Sequence, residues 1–267
     1  MNPNSPAPEL FRLDGRIAFV SGAAGHLGRA MASCLGDAGA HVIVNGRDLS
    51  RLDALVRAIK ARDGSAEAAP FDIGDLTAAR DWFASRPRLD ILVNNAIGMM
   101  PKPFDEVGAS DFEETYRTGV VAPFEMVRAA LPALREAVRK AGEASIVNVA
   151  SMYAAVAPDA RIYSKPGQAS PFHYGPAKAA LLQLTRHLAA EFGPEHIRVN
   201  ALVPGPFPRE SVTAADPAFA ERLAGRTMLG RTGRADEIRG PLLFLASRAS
   251  SFVTGSALAV DGGWTVW

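Results

Sequence analysis

The 267 residues can bury one large core, and 29 Lys and Arg against 28 Asp and Glu leave a net charge of +1. With no basic run to follow a phosphate backbone, that balance argues against a nucleic-acid partner. One cysteine, Cys34, excludes an intramolecular disulfide and a cysteine-rich metal cage, and suits a reducing, cytoplasmic compartment; no metal site is expected.

The opening MNPNSPAPEL lacks the charged, apolar, small-residue order of a signal peptide, and no apolar stretch approaches the ~20 residues of a membrane span, so no membrane partner is expected. Its prolines and polar residues read as a flexible tail over 1–12, ahead of a single domain at 13–267. From Arg16 short β-branched runs alternate with longer amphipathic Ala/Leu segments, the pattern of strand–helix–strand units. Strands are expected at 17–21, 41–45, 89–94, 145–150, 198–203 and 257–260, nearly all apolar, as strands covered on both faces are. Helices should begin near Leu27, Leu49, Asp75, Asp111, Val120, Tyr174 and Asp236. The fold class is therefore α/β: a Rossmann-like doubly wound parallel sheet of about seven strands with helices on both faces.

The first strand runs into SGAAGHLGRAMASCL, where Gly22, Gly25 and Gly28 allow a sharp turn opening a helix. Such a turn offers backbone N–H groups and a positive helix end to a pyrophosphate, although tight turns also need glycine on their own account. The second strand ends Asn45-Gly46-Arg47, with no carboxylate for a ribose 2′-hydroxyl and one guanidinium suited to a 2′-phosphate. NADP is thus favoured, with NAD as the other option; Arg47 beside Asp48 also fits a solvated loop charge. Two segments, 152–173 and 204–233, break the alternation and read as a substrate-loop insertion and a lid at the carboxyl ends of strands.

Between these segments Tyr174 and Lys178 stand four positions apart, on one face if helical. A phenol titrates near ~10, and a neighbouring ammonium favours the phenolate, so the pair can move a proton near working pH. Taken alone, it equally fits an ordinary amphipathic helix.

The glycine turn, Asn94-Asn95-Ala96, Ser151 and Tyr174/Lys178, in that order, resemble the short-chain dehydrogenase/reductase family, and the likeness runs from about Leu13 to Trp264. The resemblance implies Tyr174 as the proton-exchanging group, Lys178 lowering its pKa and holding the nicotinamide ribose, and Ser151 bonding the substrate oxygen. It also implies a cofactor site built from Gly22, Ala24, His26, Leu27, Gly28, Arg47, Asp72, Ile73, Asn94, Ala96, Tyr174, Lys178, Pro204, Gly205 and Phe207.

Several positions depart from the family pattern. His26 replaces the usual middle glycine, its ring pointing away from the pyrophosphate or donating to it, and Ile97 replaces the glycine of NNAG. Gly119 stands where the family has an asparagine supporting a water chain to the lysine, leaving room that a water could fill. The 23 positions from Ser151 to Tyr174 exceed the family's usual interval, and this insertion carries Arg161, Tyr163, Lys165 and His173, with Arg209 in the later segment. Ser151, Arg161, Tyr163 and Arg209 are expected to bind a polar substrate. Met99, Met100, Phe104, Met152 and Phe207 would instead line an apolar pocket or pack in the core.

The expected function is NADP(H)-dependent interconversion of a secondary alcohol and a ketone on a polar small molecule. SMYAAVAPDARIY is similar to sugar-acting members of the family, gluconate-type dehydrogenases among them. A cofactor-binding sensor or scaffold with a weakened site is the rival, motivated by Gly119 and Ile97; a sugar-nucleotide epimerase would need a further substrate domain. The family likeness implies a homodimer or homotetramer built on the helices near Val120 and Tyr174 and the last strand; Leu181, Leu182, Leu184 and Phe244 fit such contacts or equally the core, and the two tryptophans of VDGGWTVW are expected exposed, for a partner to cover.

Overall fold

In the computed structural model, which describes residues 6–164 and 169–266, the apolar runs become β1 Ile17–Val20, β2 His41–Gly46, β4 Ile91–Asn94, β5 Ala144–Val149, β6 Ile197–Pro204 and β7 Ala257–Val260. A strand that the sequence did not announce, β3 Ser65–Pro70, completes an all-parallel sheet of order β3-β2-β1-β4-β5-β6-β7. Its SAEAAP has no β-branched residue; six pairs with β2, from His41↔Ser65 to Gly46↔Pro70, hold it at the sheet's edge.

Helices α1 His26–Asp37, α2 Leu49–Lys60, α3 Leu76–Ala84, α4 Ala109–Tyr116, α5 Ala122–Ala141 and α6 Tyr174–Phe192 begin close to their expected starts. Local chemistry sets two of these starts: Asp48 accepts from Arg51 N, and Asp75 from Thr77 N and Ala78 N, satisfying amides that the first turn would leave bare. The segment after β6 is less irregular than expected, carrying α7 Glu210–Ala215 and α8 Pro217–Ala224 before α9 Arg239–Ala246.

Alternation along the strands sends Ala18 and Val20 toward Met31, Leu35, Leu52 and Leu242 on one face, and Phe19 toward Phe83, Met126 and Leu134 on the other. The β3-to-β4 connection carries the chain from one side of β1 to the other, so the winding reverses between the neighbouring strands β1 and β4. At that crossover the two adjacent connections leave in opposite directions and open a crevice at the strands' carboxyl ends.

A polar chain ties the crevice floor to α6: Asn94 Nδ2 donates to Asn148 Oδ1 (2.9 Å), Asn148 Nδ2 to Thr185 Oγ1 (2.9 Å), and Thr185 Oγ1 to Leu181 O (2.8 Å). All three side chains are buried and satisfied, so they fix the spacing of β4, β5 and α6.

A satellite core joins three distant segments: Met152 and Ile162 from the insertion, Leu223 from α8, and Trp264 near the C-terminus, with Tyr163 and Phe219 beside them. Arg222 closes it, donating Nε to Ile162 O and Nη2 to Ser164 Oγ (both 2.6 Å). Trp264 is therefore core rather than exposed, and Leu181 is likewise interior at 1% exposure rather than a subunit contact; Trp267 and Lys165 lie outside the described residues.

Candidate active site

Gly22 has φ +62°, and a Cβ there would lie 3.0 Å from Asn95 Nδ2. Asn95 in turn donates to Ser21 O (2.9 Å) and Gly22 O (3.2 Å), while Ser21 Oγ accepts from Asn95 N and Ala96 N, so the NNA run clamps the glycine turn. A Cβ at Gly28 would fall 2.2 Å from Gly22 O, so α1 rides directly on the turn and leaves its first amides facing the crevice. Gly25 caps α1 with no side-chain bond, and those N–H groups remain available to an anion.

Beside this turn lies an open cleft of about 480 Å³ lined by Gly22, Arg47, Asp72, Ile73, Ala96 and, at its other end, Arg209. Ala24 also lines it, while Leu27 and Gly28 sit in the first turn of α1. The residues fit a dinucleotide: a cradle that any Cβ would obstruct, a helix start without a side-chain cap, and guanidinium groups at one end. Arg47 is mostly exposed, 3.7 Å from Asp72, whose carboxylate also accepts from Gly74 N. Arg51, which sequence reasoning passed over, lines the same end and is pinned by Nη2 to Ala24 O (2.9 Å); its place in the first turn of α2, just after Arg47, was the available signal.

Other expected cofactor residues contribute differently. Asn94 uses its amide on Asn148, leaving its main chain at the crevice. The His26 ring lies beside Arg209 near the main chain of Phe207 and Pro208, in a neighbouring hollow rather than the cleft; burial and then the Arg209 charge hold its pKa below the usual value. The ring thus lies outside the lining of the cleft, against the main chain that follows β6. Pro204 ends β6, Gly205 packs on Asp261 so tightly that a Cβ would be 2.5 Å from its Cα, and Phe207 lies against Gly233.

Ser151 follows β5 and accepts from Tyr153 N (3.2 Å); Tyr174 opens α6. Lys178, one turn on, is 3% exposed, with Nζ 5.7 Å from the Tyr174 ring centroid and donating to Val149 O at 2.5 Å. Burial drives its amine down to about 7, and burial also raises the Tyr174 phenol, opposed by the Ser151 hydroxyl. Desolvation dominates at both groups, and it is the Ser151 hydroxyl, not the Lys178 charge, that works to lower the phenol. The arrangement presents a protonated phenol, a hydroxyl beside it and an amine titrating near neutrality.

In the insertion, Tyr163 OH pairs with Tyr153 OH at 2.8 Å, a partner not foreseen although it lies two residues after Ser151. Burial first, then this bond, raises the Tyr153 phenol. Arg161 is not brought to the site: its guanidinium is 84% exposed and held bidentate by Asp159. His173 is 1% exposed and bonded through Nδ1 to Thr115 Oγ1 (2.8 Å), so it is interior rather than a substrate donor. Met152 is core, whereas Met99, Met100 and Phe104 are exposed.

The hollow expected at Gly119 is filled. Gly119 lies in a π-helical turn, Arg117–Val121, and its would-be Cβ falls 2.8 Å from Ile97 Cδ1 and 3.8 Å from Ala177 Cβ, so Ile97 occupies the space assigned to a water. No group of three His, Cys, Asp or Glu able to hold a metal occurs among the described residues.

A family model described as Enoyl-(Acyl carrier protein) reductase matches residues 22–265. The gluconate 5-dehydrogenase of Gluconobacter oxydans is 36% identical over 265 residues, covering 97% of this chain and 98% of that protein. Among solved structures, the Pseudomonas aeruginosa RhlG/NADP active-site complex superposes with a TM-score of 0.86 at 32% identity, over 96% of this chain and 98% of that one. A gluconate 5-dehydrogenase from Burkholderia cenocepacia in complex with NADP and tartrate gives 0.84 at 32%, over 98% and 100%.

Proposed function

The chain belongs to the short-chain dehydrogenase/reductase family, and from that premise we propose that it is an NADP(H)-dependent oxidoreductase interconverting a secondary alcohol and a ketone on a polar, sugar-type small molecule. The observation that carries this reading is the convergence of Ser151, Tyr174 and Lys178 at the carboxyl end of β5 and the start of α6, beside the glycine-turned crevice. A bound nicotinamide supplies or takes the hydride. Tyr174 gives a proton to the carbonyl oxygen in reduction and removes it in oxidation, and Ser151 donates a hydrogen bond to that oxygen. Lys178 would hold the nicotinamide ribose and take up charge as the proton moves. NADP preference is supported by Arg47 and Arg51 at one end of the cleft and by the NADP bound in the two solved relatives; NAD remains a usable second cofactor.

On the substrate side we place Ser151, Tyr163 with Tyr153, and Arg209, beneath a lid formed by 204–233; Arg161 drops out because Asp159 engages it at the surface. Two of the curated or solved relatives are named for gluconate, which supports a sugar or sugar-acid substrate. We also read the protein as a cytoplasmic homo-oligomer, dimer or tetramer, which the free buried Cys34, the exposed Val121 and Phe124 flanking the start of α5, and the open edge of β7 suit.

The test is turnover of gluconate, 5-ketogluconate, galactitol and simple ketones with NADPH or NADP, and their NAD counterparts, by the wild type and Tyr174→Phe. Loss of the proton-exchanging group should lower kcat by about 10²- to 10⁴-fold. Tight NADPH binding without turnover on any substrate, and no effect of Tyr174→Phe, would sink the enzyme reading.

A further inference from the structure

Two departures from the family pattern, Ile97 and Gly119, lie 22 positions apart in sequence and meet in space. A methyl group on Gly119 would sit 2.8 Å from Ile97 Cδ1 and 3.4 Å from Cγ1, well inside contact distance, so one of the two must yield. Gly119 cannot: it is buried within the π-helical turn between α4 and α5, and Ala177 Cβ of α6, 3.8 Å from the added methyl, closes off another way for that methyl to turn. The backbone after Ile97 is held as firmly, because Gly98 N donates to Thr118 Oγ1 (2.9 Å) and Gly98 O accepts from Thr115 Oγ1 (3.0 Å). Both bonds come from the same helical unit that carries Gly119, so loop and helix do not separate when the space between them is overfilled. What remains free is the Ile97 side chain, and the side left open to it is the cofactor cleft, which Ile97 lines together with Ala96 and Thr118.

We infer that Gly119 is a positioning residue for the cofactor cleft, acting through Ile97: added volume at this buried position is transmitted as movement of the Ile97 side chain into the cleft. The pair is one interlocked wall, an apolar plug in a glycine socket, and it sets the width of the cleft where Ala96, Ile97 and Thr118 line it. The same contact explains why Ile97 and Gly119 occur together, since a larger residue at 119 would require a smaller one at 97. This inference rests on the NADP reading.

Intrinsic or fluorescence-detected NADPH titration of the full chain decides it, with no dependence on turnover. Gly119→Ala should raise the NADPH Kd by about tenfold, and adding Ile97→Val, which deletes Cδ1, should return it to within about threefold of wild type; such non-additivity marks residues in contact. A merely structural role would lower the melting temperature of Gly119→Ala without that rescue of affinity. If Gly119→Ala does not fold, the double variant still decides: recovery of both folding and NADPH binding supports the coupling, and failure to recover overturns it. An unchanged Kd in Gly119→Ala, or equal Kd in single and double variants, also overturns it. A wild type that does not bind NADPH instead overturns the cofactor assignment, so the two failures are distinct.

Discussion

Replacing Lys178 by methionine should make the protein more stable while ending its catalysis, and the gain should shrink as pH rises. Lys178 is 3% exposed, and its amine titrates at about 7 instead of 10.5 because burial penalises the charge. Each pKa unit is worth about 1.4 kcal/mol, so at pH 6.5 the folded state carries a penalty of about 4–5 kcal/mol for this group. The folded pKa is depressed, so the unfolded chain binds more protons between about 7 and 10.5, and stability rises with pH across that window. By pH 9.5 only about 1–2 kcal/mol of the penalty is left, so the advantage of Lys178→Met should fall by about 3 kcal/mol between pH 6.5 and 9.5. Urea unfolding of both proteins at the two pH values, without cofactor and at one protein concentration, measures this directly. Other titrating groups cancel in the difference. An advantage that does not change with pH would show that the amine is not desolvated as described, and the account of the site's electrostatics would fail.

Arg51→Ala should weaken NADPH about tenfold with little effect on NADH, since Arg51 is already fixed to Ala24 O whereas Arg47 is mostly exposed and only loosely paired with Asp72; equal losses for both cofactors would remove Arg51 from the 2′-phosphate site. Gly28→Ala should abolish cofactor binding or folding, because its methyl would fall 2.2 Å from Gly22 O, and a crystal structure of a fully active variant would contradict the geometry of the turn. Arg161→Ala should leave KM for gluconate within about twofold, as expected of a solvent-screened ion pair at the surface; a large rise would return Arg161 to the substrate site.

Periodicity exposed the strands that are buried on both faces, because apolar β-branched runs such as Ile91–Asn94 can only be interior. It missed β3, where the partner strand and not the side chains selects the extended state, and α7 and α8, whose short turns are obscured by Pro and Arg on either side. The site's chemistry was legible wherever one residue type performs it alone: a glycine with positive φ, a phenol and amine one helical turn apart. What depended on three-dimensional partners was not. His26 could be assigned to the pyrophosphate or away from it until the main chain near Pro208 was seen beside it, Arg161 until Asp159 was, and Gly119 until Ile97 was found in its hollow.

The packing of Met152, Ile162, Leu223 and Trp264 has a consequence for engineering. A chimera that imports only the loop after Ser151 from another dehydrogenase would strand the indole and the α8 leucine without their neighbours. Redesign of selectivity has to exchange the loop, the helical arm and the tail together, and an affinity tag belongs at the opposite end of the polypeptide.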